Sequence, residues 1–139
     1  MPIYKAPVRD ARFVINEVLR LEDYQAVPGF EAATRDMIDA VVEEAGRFTS
    51  EVLAPLNLPG DQQGCTRNAD GSVSTPAGFK AAFDQFCEGG WSTLTAPAQF
   101  GGQALPHVLG MAFEEFMCSA NQSFAMYPGL TSGAVAALL

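Results

Sequence analysis

Histidine is almost missing from this sequence of 139 residues, where His107 is the one example. It falls in the first turn of an expected helix, with no neighbouring cysteine and no positioned acid, so it reads as a surface residue rather than a ligand or general base. No nucleophile then has an evident base, and a complete small enzyme is a poor reading. Basic side chains are scarce as well. A total of 8 Lys and Arg against 16 Asp and Glu leaves a net charge of -8, which repels a phosphate backbone and gives no footprint for nucleic acid or anionic lipid. The three cysteines, Cys65, Cys87 and Cys118, are odd in number, far apart and in no Cys-x-x-Cys spacing, so neither a disulfide framework nor a metal site is expected. They read as buried small apolar residues in a reducing cytoplasm. A secretory leader is not expected either, since Met1-Pro2-Ile3-Tyr4-Lys5 runs into Arg9, Asp10 and Arg12 without an apolar core. No run reaches the roughly 18 apolar residues that span a bilayer.

What is present is apolar: 48% of residues are hydrophobic and 17% charged. A chain of this size folds around one core, but this one is poor in charge for a free-standing domain and is expected to lean on something else. Helical spacing of Phe13, Val14, Val18 and Leu21 predicts a short helix from near Asp10, which could cap it. Pro28-Gly29 breaks the chain, and an amphipathic helix is predicted from about Phe30 to Leu53. Its stripe is Phe30, Met37, Val41, Phe48 and Val52, widened by Ile38, Val42 and Ala45. Glu43 and Arg47 form a favourable i,i+4 pair, and Pro55 is expected to end the helix. Residues 57–74 are dense in turn formers and read as an ordered connection with at most a short hairpin around Asp70-Gly71. Thr75-Pro76 then looks like a capped helix start, with Phe79, Ala82, Phe83 and Phe86 on the apolar face and Gly89-Gly90 as the stop. Pro106 opens a further helix with the stripe Leu109, Ala112, Phe113, Phe116, Met117 and Ala120, which Pro128-Gly129 is expected to interrupt. The small apolar run from Gly133 to Leu139 looks like a helix cut short. With no convincing strand, the fold class is all-α, a helical bundle.

Several tempting residues have plain readings. Glu114-Glu115 point to different sides of their helix and read as solvated or salt-bridged acids. Trp91 follows an apolar helix and reads as a core anchor, while Phe100-Gly101-Gly102 is no complete phosphate-binding fingerprint and reads as a tight turn.

Longer blocks carry more. Tyr4-Lys5-Ala6-Pro7 with Asp10 and Phe13, then Leu56-Asn57, Gly60-Asp61, Gly64-Cys65 and Thr75-Pro76-Ala77-Gly78-Phe79-Lys80, precede Gly89-Gly90-Trp91. Pro97-Ala98-Gln99-Phe100-Gly101-Gly102-Gln103-Ala104-Leu105-Pro106 follows, and then the acidic pair with its small-residue helix. Together they resemble the N-terminal helical domain of the flavin-dependent acyl-CoA dehydrogenases over essentially the whole chain. The likeness is greatest to the longer bacterial branch with an extra N-terminal segment, which includes the 3-methylthiopropanoyl-CoA dehydrogenases. It divides the chain into an extension, residues 1–29, and the helical domain, residues 30–139. On that resemblance the domain is expected to be incomplete at its C-terminal end, truncated before a β-rich middle domain.

The resemblance implies an FAD-dependent α,β-dehydrogenation of an acyl-CoA to a 2-enoyl-CoA, with electrons passing to an electron-transfer flavoprotein, in a homo-oligomeric cytoplasmic enzyme. In the family most FAD contacts come from the middle domain and the carboxylate base from a C-terminal helical domain, so no catalytic residue carries over to this chain. What carries over is part of the acyl pocket wall, in the stretch matching Asn121 to Leu130. Phe124, Tyr127 and Leu130 are expected to shape the bottom of the site, with Asn121 and Ala125 beside them. A packing break is the plain reading of Tyr127-Pro128-Gly129. The alternative for the whole chain is a stand-alone helical interaction module derived from that domain.

Overall fold

Pro7 sets where the first helix begins, because its fixed φ and missing N–H suit the position just ahead of a first turn. In the computed structural model, which describes residues 3–138, helix α1 runs Val8–Phe13 with Pro7 at its N-cap and no side-chain cap. Asp10 therefore lies inside the first turn instead of capping it, where its charge faces the positive end of the helix. A π-helical turn, Val14–Val18, continues α1, and a 3-10 turn, Leu21–Tyr24, follows it.

The long helix starts later than its apolar pattern suggests. Thr34 is extended, and its hydroxyl accepts from the Met37 N–H at 3.3 Å, so α2 spans Arg35–Phe48 and Phe30 stays outside it. Its buried line is Ile38, Val42, Ala45 and Phe48, continued by Thr49 and Leu53 in the next turn, while Met37, Val41 and Val52 sit at the edge. Pro55 does not end this run. A π-helical turn, Thr49–Leu53, places the Ala54 N–H on the Thr49 carbonyl, and α3 carries on over Ala54–Gln63 with Pro55 in its first turn. The local change of hydrogen-bond register absorbs the missing proline donor. Residues 57–63, expected as connection, are thus helical.

A two-stranded antiparallel hairpin follows, β1 (Thr66–Arg67) pairing with β2 (Val73–Ser74), with Thr66 opposite Ser74. It turns around Asp70-Gly71, as expected. Helix α4 spans Phe79–Glu88, but Thr75 does not cap it. Gly78, at φ 87°, holds the N-cap, and the Phe79 N–H reaches back to the Pro76 carbonyl at 3.2 Å. The left-handed glycine lets the chain reverse and send Phe79 into the core. Phe79, Ala82 and Phe86 are buried, whereas Phe83 is partly exposed.

Helix α5, His107–Leu138, carries the expected stripe of Leu109, Phe113, Phe116, Met117 and Ala120, all buried, with Ala112 at its edge. Pro128 and Gly129 do not interrupt it. The one non-helical residue is Asn121, at φ -160° and ψ 89°, so the discontinuity lies upstream of the expected place. The apolar ending read at Leu139 falls outside the described residues.

The core forms where α2 crosses α5, with α4 and Trp91 closing one side. The Trp91 and Phe113 rings stack at 4.2 Å between centroids, and Phe86 stacks on Phe113 at 6.1 Å. Trp91 is the core anchor expected of it. The N-terminal segment is strapped to this core by polar contacts. Tyr4 donates to the Phe116 carbonyl at 3.2 Å, and the Ala6 N–H donates to the Ser50 hydroxyl at 3.0 Å. Arg12 donates to the Asp39 carbonyl at 2.8 Å and pairs with Glu43 at 3.0 Å. That explains a further difference: with Glu43 turned to Arg12, Arg47 pairs with Glu44 and, at 3.8 Å, with Glu51.

Candidate functional site

The stretch from Asn121 to Leu130 begins at a joint. Asn is among the preferred N-cap residues because its short side chain can take up an otherwise unpaired helix N–H. Asn121 does so here: Oδ1 accepts from the Phe124 N–H at 3.0 Å, restarting the helix. Its other end donates through Nδ2 to the Leu53 carbonyl at 3.2 Å, across to the π turn. The residue is 1% exposed.

Downstream, the other four candidate residues differ in their surroundings. Phe124 is fully buried, its ring 6.0 Å from Phe86 and 6.4 Å from Phe79 between centroids. Ala125 is buried and borders a groove of about 300 Å3 lined by Phe86, Trp91, Phe113 and Met117. Gly129 and Gly133 border the same groove, and neither has an atom within 4 Å of where a Cβ would stand. The small residues of α5 leave this groove unfilled. Tyr127, 41% exposed, lies edge-on to Phe79 at 6.3 Å and lines an apolar hollow of about 450 Å3 with Thr75, Phe79, Lys80 and Phe83. Leu130, 79% exposed, borders a third hollow of about 260 Å3 with Ala125, Met126, Gln122 and Cys118. Three hollows therefore surround the downstream half of α5; Ala125 and Leu130 share the third, and Tyr127 borders a separate one. Asn121 and Phe124 line none of these three.

Two acid–base side chains, His107 and Glu114, border the same groove as Ala125. Glu114 and Glu115 are exposed, and so is His107. Among the described residues no group of three His, Cys, Asp or Glu side chains is arranged to hold a metal ion. The cysteines differ from expectation: Cys65 and Cys87 are exposed and Cys118 is partly buried. Cys65 follows α3, which buries none of its residues, and Cys87 lies off the α4 face carrying Phe79, Ala82 and Phe86. Burial, then the nearby Glu114 charge, pushes the Cys118 thiol up from its ordinary pKa, which keeps it protonated.

Sequence reasoning placed Asn121 in the stretch but missed its role as a cap. The signal was available in an asparagine closing one apolar stripe just ahead of Phe124. The link to Leu53 had no local signal.

These features define an all-α bundle with an apolar, grooved helix. Comparison with known proteins places it. The chain is 42% identical over 135 residues, 97% of its length, to the 3-methylmercaptopropionyl-CoA dehydrogenase of Ruegeria pomeroyi. It is 28% identical over 139 residues to the butyryl-CoA dehydrogenase of Syntrophomonas wolfei. No family model matches the chain. The resemblance to acyl-CoA dehydrogenases is borne out, and the chain is their homologue. It spans 23% and 22% of the lengths of these two relatives.

The glycine turn before α5 gives the flavin implied by that family no phosphate cradle. The Phe100-Gly101-Gly102 turn closes on itself: the Gly102 N–H donates to the Pro97 carbonyl at 3.1 Å, and a Cβ on Gly102 would stand 2.0 Å from the Ala96 carbonyl oxygen. That glycine serves close backbone packing, the tight turn expected of it, and leaves no cradle for a phosphate.

Proposed function

We propose that the chain is part of an FAD-dependent acyl-CoA dehydrogenase that converts an acyl-CoA to a 2-enoyl-CoA. Residues 1–29 are its N-terminal extension, and residues 30–139 belong to its N-terminal helical domain. The observation that carries this reading is the 42% identity to a dehydrogenase across 97% of the chain. Within such an enzyme this segment supplies no reacting group and is inactive alone. Its contribution is one wall of the acyl pocket, from the downstream half of α5 with Ala125, Tyr127 and Leu130 as surface and Phe124 as backing. A wall of this kind selects by volume, each methylene changing discrimination by about 1–3 kcal/mol. Tyr127, as an aromatic at the floor, favours shorter acyl groups.

Most FAD contacts and the base are held outside this chain. The same reading gives an electron-transfer flavoprotein as electron acceptor, a homo-oligomer as assembly and the cytoplasm as location. No helix among the described residues is long and apolar enough to cross a membrane.

Purifying the polypeptide that carries this chain from its source cells tests the reading. It is expected to show an oxidised-flavin absorbance that bleaches when an acyl-CoA is added without oxygen. A colourless product, or a flavin that no acyl-CoA reduces, removes the dehydrogenase assignment. One observation favours a second reading, the stand-alone interaction module: Met126, Leu130, Val135 and Leu138 are exposed on one helix. An in-frame continuation into a flavin-binding β domain decides for the enzyme, and a stop codon after Leu139 for the module.

A further inference from the structure

We propose that Asn121 is a positioning residue whose side chain sets the direction of the downstream half of α5, and so the shape of the acyl pocket wall. This rests on the reading of that half as the wall.

The backbone of α5 is helical on both sides of Asn121 and extended at it. A plain helix would run straight through, because no proline or glycine stands at the joint and Pro128 does not break the helix. The side chain instead offers two bonds that a continuous helix could not use. One amide end caps the Phe124 N–H, and the other holds the Leu53 carbonyl. Leu53 is fully buried at the end of the π turn that carries α2 into α3. The joint is thus clamped between its own helix and a rigid neighbour.

The two bonds make opposite demands, one an acceptor and the other a donor, at a single buried point. Aspartate keeps the acceptor but sets an oxygen against the Leu53 carbonyl. Serine keeps a capping oxygen and loses the reach to Leu53. Alanine loses both bonds and is the strongest helix former, so it favours straightening. Rotation about the joint displaces Leu130 more than Ala125, because displacement grows with distance along the axis. Asn121 lines none of the hollows bordered by Ala125, Tyr127 and Leu130. It therefore acts on a substrate through those residues and not by touch.

The test uses the polypeptide that carries the chain, with a series of straight-chain acyl-CoA substrates of increasing length. Asn121→Ala is expected to change the ratio of kcat/KM between long and short substrates by on the order of tenfold. Hydrogen exchange at residues 122–124 is expected to slow in the same variant, as their N–H groups enter a continuous helix. Asn121→Ser, which keeps the cap, is expected to fold and to shift the ratio less, and it carries the test if the alanine variant does not fold. A parental chain-length ratio with parental exchange in either folded variant overturns the proposal. Tyr127→Ala separates the two levels of the argument. If it shifts the ratio and the Asn121 variants do not, positioning fails and the wall stands; if none shifts it, the wall reading itself fails.

Discussion

Upstream of Asn121, helix α5 buries Leu109, Phe113, Phe116, Met117 and Ala120; downstream, Phe124 and Ala125 are buried while Met126, Tyr127, Leu130, Val135 and Leu138 stay exposed. Both halves are apolar in sequence. They differ in what stands opposite. The upstream half packs on α2 and the Trp91 ring, which bury its large side chains. The downstream half presents Ala125, Gly129 and Gly133 over a groove and leaves that groove open. Apolar content alone does not distinguish a helix that holds a fold together from one that presents a surface. The depth of packing does, and it changes past Ala125.

The sharpest way to break this comparison is to truncate one buried and one exposed residue. Phe113→Ala removes a ring that is 3% exposed and stacked on Trp91. It is expected to cost about 3–5 kcal/mol, read as a lowered midpoint in denaturant unfolding. Tyr4→Phe probes the strap on the upstream half and is expected to cost about 1 kcal/mol through loss of the bond to Phe116. It has a pH counterpart. Burial, with the charge of Glu115, raises the Tyr4 pKa above its ordinary value of 10.0. The neutral phenol is therefore the form favoured in the fold. Its contribution is fully present below the unfolded pKa and is lost as pH rises through the folded one. The parent chain should lose more stability than Tyr4→Phe above pH 10.0. Leu130→Ala, at a position 79% exposed, is expected to stay within about 0.5 kcal/mol of the parent. A loss at Leu130 as large as at Phe113 would erase the contrast between the halves.

The helical stripes were legible in the sequence because each is a local repeat. Leu109, Phe113, Phe116 and Met117 came out as expected, as did the hairpin at Asp70-Gly71. The misreadings gather at prolines and caps. Pro55 and Pro128 signal helix ends by local rules, yet the π turn absorbs the first and the helix carries the second. Thr75 has a capping hydroxyl, but Gly78 turns the chain after it. Asn121 owes its conformation partly to Leu53, a partner far away in sequence. Such a bond leaves no trace in spacing. The pairing of Glu43 with Arg12 rather than Arg47 has the same origin, since α1 docks on α2. Of the candidate site, the stretch 121–130 was legible by resemblance. The distribution of its residues among three hollows was not, because side-chain direction past a joint cannot be read from a straight helix.

The most direct measurement is photo-crosslinking of the polypeptide that carries this chain with an acyl-CoA bearing a diazirine at the end of its acyl group, the adducts being mapped by mass spectrometry. The account predicts adducts on residues 121–130, centred on Tyr127 and competed away by unlabelled acyl-CoA. Efficient, competable labelling that leaves this stretch unmodified would contradict it and place the acyl group against another part of the protein.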